Sequence, residues 1–444
     1  MRHHSYRISF LLLIAFQLKA QTYFPPAAPG NWDTLSPARF GWCNDKIDSL
    51  YALLARENTK AFILLKDGKI VLEQYFDGHT ATSNWYWASA GKSLTATLVG
   101  IAKANGSLQL TDSSSKFLGT GWTSATPAQE GAITVWHQLT MTSGLDDAFG
   151  DPFCTADTCL RYLAPAGTRW AYHNGPYTLL DGVISGATGQ TLNQFTNQRL
   201  KQATGMDGLF IPSGFNNVFY STARSMARFG WLIYNRGWWN GQAVLNDSVY
   251  FNQMVNTSQP HNLSYGYLWW LNGKASYKLP GSQINIPGFM NPDAPADMIA
   301  AMGKNGQFIN VVPSQGMVWI RMGDAPDNSP VPFLLQNKIW QYINNLQCGQ
   351  GAAVAEHSRT QWNLYPQPAS EVVFLQPLGQ SHAASMPICY VLRDMRGRKL
   401  RHGKTEADQW PLRLEVGDLP VGSYLFEVQV NGRAVHSMPL FIVH

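Results

Sequence analysis

Between about residues 36 and 346, the chain alternates short apolar runs with amphipathic ones. Residues 61–76 form two apolar runs around Asp67-Gly68, a pair typical of tight turns, and therefore predict a β-hairpin. After Ser89, apolar residues recur at helical spacing until Asn105-Gly106, which predicts a helix that begins at the serine. Further helices are predicted over roughly 177–187, 191–203, 222–235 and 331–346, and two adjacent strands over 306–323.

The order of these elements predicts an α+β fold: strands, a mainly helical lobe, strands again and a last helix. Residues 348–362 are small, polar and aperiodic, which is typical of a linker. Beyond them the composition changes to short alternating strands, with a hairpin turn at Asn431-Gly432, which predicts a small β-sandwich. We therefore expect an enzyme domain over 21–347 and a C-terminal domain over 363–444.

The first twenty residues have the features of a secretory signal peptide: a basic start, an apolar run from Ile8 to Phe16 and a small residue at Ala20. No apolar run reaches the ~18 residues of a transmembrane helix, so we expect no membrane-spanning segment. Export allows disulfides to persist, and the five cysteines leave at least one unpaired in a monomer. Their spacing does not suit zinc, and we expect neither a metal nor a cofactor.

The charge balance argues against a nucleic-acid partner. The chain has 33 lysines and arginines against 28 acidic residues, without a basic stripe. Arg2, Arg7 and Lys19 of the signal peptide supply part of that excess.

Residues 87–100 (WASAGKSLTATLVG) contain two overlapping motifs. Gly91-Lys92-Ser93 resembles the end of a phosphate-binding loop, but that loop requires a glycine where this chain has Tyr86. Ser89-Ala90-Gly91-Lys92 is S-x-x-K, which places a serine and a lysine one helical turn apart. A serine hydroxyl is a weak nucleophile until a neighbouring base takes its proton, and a desolvated lysine is such a base. We therefore favour acyl transfer.

Two further motifs follow in order: Tyr172-His173-Asn174 (Y-x-N) and Lys304-Asn305-Gly306 (K-x-G), the latter entering a predicted strand. With these motifs, residues 36–346 resemble the serine hydrolase family of β-lactamases and penicillin-binding proteins. The nearest branch is that of class C enzymes, esterases and 6-aminohexanoate-dimer hydrolases. The resemblance implies an antiparallel sheet flanked by helices and a helical lobe.

The resemblance also implies the roles of the site residues. Ser89 is the nucleophile, and Lys92 and Tyr172 share the transfer of its proton. Two nearby cations, Lys92 and Lys304, are expected to push Tyr172 toward the phenolate, and either Tyr172 or Lys92 can be the base. Substrate contacts are expected from Asn174, Lys304, Gly306 and Gln307, with the Gln307 N–H as the second oxyanion donor beside Ser89.

Asn305 and His173 depart from the residues more usual in this family, which argues against β-lactam turnover but leaves acyl transfer intact. His137 and His173 are interpreted as structural, and Trp269-Trp270 as part of the core. The function expected is an exported serine hydrolase acting on a small amide, ester or peptide. The alternatives are a D-alanyl-D-alanine carboxypeptidase or β-lactamase, and a penicillin-binding sensor without turnover.

The C-terminal region resembles the sorting domain of type IX secretion, with Tyr365-Pro366-Gln367-Pro368 at the usual opening motif. This resemblance implies a partnership with the secretion machinery and a location at the cell surface or outside the cell. A carbohydrate-binding or cell-wall-binding β-sandwich is the alternative. In the resembled enzyme fold, the first and last helices pack side by side. That arrangement implies a Cys43–Cys348 disulfide, with Cys154–Cys159 closing a short loop and Cys389 free.

Overall fold

The computed structural model describes residues 22–27, 32–326, 331–348, 361–378, 388–394, 398–405, 410–430 and 433–443. The predicted signal peptide, most of the predicted linker and the Asn431-Gly432 turn lie outside these residues. Within the described part of the chain, no helix combines the length and apolarity needed to cross a membrane.

The main sheet of the N-terminal part is antiparallel and carries the predicted hairpin at one edge. Its strands run in the order β2-β1-β13-β12-β11-β8. The strands of this part are β1 (Thr59–Lys66), β2 (Lys69–Tyr75), β3 (Trp85–Tyr86), β4 (Leu209–Ser213), β5 (Asn216–Ser221), β6 (Trp238–Trp239), β7 (Gln242–Ala243), β8 (Trp270–Leu271), β9 (Ser276–Tyr277), β10 (Ile286–Pro287), β11 (Ile299–Gly303), β12 (Gln307–Val312) and β13 (Met317–Gly323).

The helices surround this sheet and build the second lobe. They are α1 (Asn44–Arg56), α2 (Gly91–Ala104), α3 (Ser115–Leu118), α4 (Pro127–Gly131), α5 (Val135–Leu139), α6 (Asn174–Thr178), α7 (Leu180–Thr188), α8 (Leu192–Thr196), α9 (Gln202–Thr204), α10 (Ala223–Tyr234), α11 (Ser248–Met254) and α12 (Phe333–Asn344). A π-helical turn, Asn197–Lys201, joins α8 to α9. The predicted α+β architecture is confirmed.

Local turn chemistry explains the hairpin. Asp67 and Gly68 both have positive φ, 50° and 81°, as a two-residue turn of this type requires. The predicted helix after Ser89 ends as expected, because α2 stops at Ala104 and Gly106 adopts φ 77°. β12 and β13 pair antiparallel, as predicted for residues 306–323.

The two ends of the N-terminal part meet. α1 packs against α12, and Cys43 is bonded to Cys348 with Cα atoms 5.0 Å apart. The Cys43 N–H also donates to the Leu346 carbonyl at 3.0 Å. A second disulfide joins Cys154 to Cys159, and Cys389 is free, so the expected pairing is confirmed.

The C-terminal part forms two small sheets around a hydrophobic core of its own, as a small sandwich requires. One sheet has the order β14-β15-β18 and the other β17-β16-β19-β20. These strands are β14 (Gln361–Tyr365), β15 (Val372–Leu378), β16 (Ile388–Asp394), β17 (Lys399–Thr405), β18 (Leu412–Glu415), β19 (Gly422–Val430) and β20 (Arg433–Ile442). β14 begins two residues before the predicted boundary at 363.

Candidate active site

Ser89 lies in a single 3-10 turn, Ala88–Ala90, directly before α2. Ala88, immediately before the serine, has φ 46°, a left-handed conformation that is strained for a residue other than glycine. The Trp87 N–H donates to the Phe219 carbonyl at 2.8 Å, and its indole donates to Ser221 Oγ at 2.8 Å. These contacts with β5 fix the turn and place the serine at the N-terminus of α2.

Lys92 is the basic group next to Ser89. It is 4% exposed, and its Nζ lies 3.1 Å from Ser89 Oγ. Burial lowers the pKa of Lys92 to about 7, although the charge of Asp181 acts in the opposite direction. This is the direction expected from the sequence. A lysine with such a pKa is partly neutral near pH 7 and can accept a proton from the serine.

Aromatic rings form the walls around this pair. Lys92 Nζ lies 4.0 Å from the ring centroid of Tyr177 and 5.2 Å from that of Tyr172. Tyr172 in turn stacks on Trp270, with ring centroids 5.9 Å apart and an interplanar angle of 20°. Trp269, by contrast, is fully buried and stacks on Phe229. Trp270 therefore packs against the site, whereas Trp269 belongs to the core.

Tyr172 has a protonation state different from the one expected. Burial raises the pKa of its phenol above the ordinary value, and the Ser89 side chain offsets this in part. The prediction of a shift toward the phenolate is wrong, because the loss of solvation on burial is the main effect and raises the pKa of Tyr172. Lys304 is exposed, so its charge is screened by solvent. Tyr172 is consequently a neutral phenol at neutral pH.

The other two residues of the Y-x-N motif are buried. Asn174 begins α6, and its side-chain Oδ1 has no hydrogen-bond partner among the described residues. His173 is 3% exposed, and burial lowers its pKa to about 4. His137 Nδ1 accepts from the Thr134 N–H in a capping box at the start of α5, which is a structural role.

The K-x-G motif lies in the turn between β11 and β12. Lys304 is exposed, and Asn305 adopts φ 63° and donates from Nδ2 to Tyr86 Oη at 2.7 Å. Gln307 is the first residue of β12, and its side-chain amide bonds both the N–H and the carbonyl of Gly323. Gly306 is also buried. The Asn305 and Gln307 side chains are therefore engaged in holding the turn and the sheet.

The end of β11 packs closely against the nucleophile turn, which β12 also contacts. A Cβ placed on Gly303 would lie 2.5 Å from the Trp87 carbonyl oxygen and 3.1 Å from the Ser89 nitrogen. Only glycine allows so close an approach. The backbone of Gly303, next to Lys304, therefore comes close to that of Ser89, and β12, which begins at the predicted oxyanion donor Gln307, also contacts this turn.

A buried arginine that the motifs did not reveal supports this turn. Arg321 on β13 is fully buried, and its Nη1 donates to the carbonyls of Asn305 at 2.9 Å and Gly306 at 2.8 Å. Its Nε donates to Thr59 Oγ1 at 2.9 Å. A charged residue within the apolar strand 317–323 was the available signal in the sequence.

The phosphate-loop interpretation has no structural support. The Ser93 hydroxyl donates to the Leu268 carbonyl at 2.7 Å and is 1% exposed, so it does not face a ligand. Among the described residues, no group of three or more histidines, cysteines or acids is arranged to hold a metal ion.

The fold is of the β-lactamase type, and the comparisons with known proteins agree. The β-lactamase family model matches residues 54–330. The chain belongs to the β-lactamase family. An uncharacterized protein of Alkalihalophilus pseudofirmus is 23% identical over 296 residues, which cover 58% of this chain and 81% of that protein.

Solved structures share the fold at low identity. A Bacillus anthracis protein provisionally named as a 6-aminohexanoate-dimer hydrolase has a TM-score of 0.55 and 18% identity, covering 73% of this chain and 89% of that one. A penicillin-binding protein homologue from Caulobacter crescentus has a TM-score of 0.53 and 14% identity, covering 69% and 98%. These likenesses show the architecture, and the chemistry must be argued from the side chains of this chain.

Proposed function

We propose that this protein is an exported serine hydrolase that cleaves amide or ester bonds through an acyl-enzyme on Ser89. The observation that carries the proposal is the contact between Ser89 Oγ and Lys92 Nζ at 3.1 Å. The nucleophile and its base lie within hydrogen-bonding distance before any substrate binds. Membership of the β-lactamase family supports the same reaction type.

Acylation begins when neutral Lys92 takes the Ser89 proton and Ser89 Oγ attacks the substrate carbonyl. The negative charge that develops on the carbonyl oxygen requires hydrogen-bond donors. The Ser89 N–H at the start of α2 is one donor, and the peptide N–H of Lys304, beside Gly303, is our candidate for the second. One such donor is typically worth about 2.7–4 kcal/mol of the barrier.

Tyr172 delivers a proton to the leaving group. Because its pKa is raised, it begins the cycle as a neutral phenol. As the tetrahedral intermediate collapses, the phenol gives its proton to the leaving nitrogen or oxygen, and Lys92 returns the serine proton to Tyr172. This assigns the base to Lys92 and the proton carrier to Tyr172. Water then releases the acyl group by the reverse transfers.

The substrate is held by its own amide or carbonyl. Asn174 Oδ1, which lacks a partner among the described residues, is available to accept an N–H from it. Lys304 is exposed at the rim and is available for a polar substrate group. Asn305 has an amide in place of the hydroxyl usual at this position, and that amide donates to Tyr86. We therefore favour a small amide or ester over a β-lactam.

The second candidate, a β-lactamase or D-alanyl-D-alanine carboxypeptidase, is favoured by the family match itself. A panel of nitrophenyl esters and a fluorescent penicillin, with the Ser89→Ala variant as control, separates the candidates. We expect ester turnover that depends on Ser89, without fast penicillin hydrolysis. Fast penicillin hydrolysis would support the second candidate. A lasting penicillin adduct without ester turnover would identify a sensor.

We also propose that residues 363–444 are a type IX sorting module. The opening motif Tyr365-Pro366-Gln367-Pro368 precedes a strand-rich region with its own hydrophobic core. Two disulfides and the lack of a membrane-spanning helix among the described residues are consistent with a secreted protein. The signal peptide expected over residues 1–20 supports export in the same way.

A further inference from the structure

Asp181 is a buried carboxylate behind the catalytic lysine. It lies on α7, four residues after Tyr177, and is 9% exposed. Asn217 on β5 donates from Nδ2 to Asp181 Oδ2 at 2.9 Å. The other oxygen, Oδ1, is buried and has no hydrogen-bond partner among the described residues. A carboxylate in this position costs free energy unless it interacts with a charge or changes its protonation state.

Asp181 and Lys92 lie on two packed helices and act on each other through their charges. Helices α2 and α7 pack against each other, and the Tyr177 ring, one turn before Asp181, covers Lys92 Nζ at 4.0 Å. Asp181 is the acid whose charge raises the pKa of Lys92 against the effect of burial. Reciprocally, the charge of Lys92 acts to lower the pKa of Asp181.

A cavity connects Asp181 with a different part of the surface. It has a volume of about 300 Å³ and is lined by Asp181, Ser185, Asn193 and Asn217 among others, but not by Ser89 or Tyr172. Its polar lining can hold water molecules. The carboxylate thus lies on a helix packed against that of Lys92 and also lines a water-accessible space outside the active site.

We propose that Asp181 is a positioning residue that sets the protonation of Lys92 and exchanges its own proton with water in this cavity. The inference rests on the proposed function, in which Lys92 is the base. When Lys92 takes the Ser89 proton, Asp181 releases its proton to the cavity water and the ammonium gains a counter-charge. When Lys92 passes its proton on, the carboxylate takes one back, so protons balance over the cycle.

The protonation states support this exchange. Burial raises the pKa of Asp181 to about 7, although the Asn217 hydrogen bond and Lys92 act in the opposite direction. Both members of the pair therefore titrate near neutral pH. Among the described residues, the rings of Tyr177 and Tyr172 also lie close to Lys92. Lys116 on the adjoining α3 is paired with Asp112.

The experiment measures the rate at which a fluorophosphonate labels Ser89 as a function of pH, which requires no knowledge of the substrate. In the wild type we expect the rate to rise with pH through a midpoint near 7, because only neutral Lys92 can act as base. Asp181→Asn removes the counter-charge, so Lys92 loses its proton more readily. Its midpoint should fall by about 1 pH unit or more.

Two further variants keep the test decisive. Asn217→Ala removes the bond that favours the Asp181 carboxylate, so the midpoint should move in the same direction but less. Asp293→Asn is the matched control, since Asp293 also accepts from an asparagine amide, Asn337 Nδ2 at 2.7 Å. Its midpoint should equal that of the wild type.

The inference is overturned if the midpoints of Asp181→Asn and Asn217→Ala equal those of the wild type and the control. That result would leave the proposed function intact. If Asp181→Asn does not fold, the midpoint of Asn217→Ala decides alone. Absence of Ser89 labelling in the wild type would overturn the proposed function itself, and with it the inference that rests on it.

Discussion

Lys92 Nζ, in the first turn of α2, lies 3.1 Å from Ser89 Oγ in the 3-10 turn directly before that helix, and the lysine is almost completely buried. The one-turn spacing of S-x-x-K produces this contact, and burial makes it useful, because a fully solvated lysine would remain protonated at neutral pH. The Tyr172 ring lies beside the same lysine, and Ser89 partly offsets the effect of burial on the pKa of the phenol. The serine hydroxyl therefore has a proton acceptor and a neutral phenol in its surroundings.

Lys92→Ala and Tyr172→Phe should each lower kcat by about 10²- to 10⁴-fold, the usual range for loss of a general acid or base. Because the two groups pass one proton between them, the double variant should be little worse than the poorer single variant. Steady-state kinetics on an activated ester measures this. Tyr267→Phe removes a hydroxyl that bonds Gln253 and serves as the control. If the two reductions in kcat multiply in the double variant, Lys92 and Tyr172 act independently.

His173 should make the protein less stable in acid. Its folded pKa is about 4, below the ordinary value of 6.5, so protons bind preferentially to the unfolded chain as the pH falls from about 6.5 to 4. The stability lost over that range is up to about 3 kcal/mol. The His173→Gln variant should lose less free energy of unfolding than the wild type between pH 7 and pH 4.5, as measured by urea unfolding at both pH values. The exposed His402→Gln is the control. An equal acid loss in His173→Gln and wild type would contradict the account.

The two disulfides should differ in their contribution to stability. Cys43–Cys348 closes a loop with a sequence separation of 305, and Cys154–Cys159 one with a separation of 5. In the chain-entropy model these contribute about 5 and about 2 kcal/mol. We expect the double variant Cys43→Ser/Cys348→Ser to lose more free energy of unfolding than Cys154→Ser/Cys159→Ser, as measured by denaturant unfolding. The Cys389→Ser variant should lose little. A larger loss from the short loop would show that chain entropy does not set the ranking.

Deletion of residues 363–444 should leave hydrolysis of small esters unchanged but retain the enzyme in the periplasm of its native host. The reason is that the proposed catalytic groups all belong to the N-terminal part, whereas the C-terminal strands have a separate core. Cell fractionation followed by an ester assay measures both effects. Arrival of the truncated enzyme at the surface would refute the sorting role. Loss of activity on polymeric substrates alone would point to a binding module.

Local signals in the sequence predicted much of the fold. Asp67-Gly68 specifies the hairpin turn and Asn105-Gly106 the end of α2, since both depend on residues adjacent in the chain. The serine-lysine contact was predictable for the same reason. The approach of Gly303 to Ser89 was not, because it depends on how β11 pairs with β12 and packs on a turn more than two hundred residues earlier.

Protonation states and supporting residues also depend on tertiary structure. The pKa of Tyr172 is governed by its burial, and the sequence could not show that Lys304 is exposed. Asp181 lies in an apolar helical segment, where its charge was a visible signal. Its proximity to Lys92 becomes evident only when α2 packs against α7.

The most direct test of the account is mass spectrometry of the fluorophosphonate-treated protein at pH 8. We predict one adduct, on the peptide that contains Ser89, and its loss in Ser89→Ala. Ser93→Ala is the matched control, since Ser93 lies one turn further along α2 and bonds Leu268. It should still be labelled at Ser89. An adduct that persists in Ser89→Ala, or that is lost only in Ser93→Ala, would contradict the assignment of Ser89 as the nucleophile.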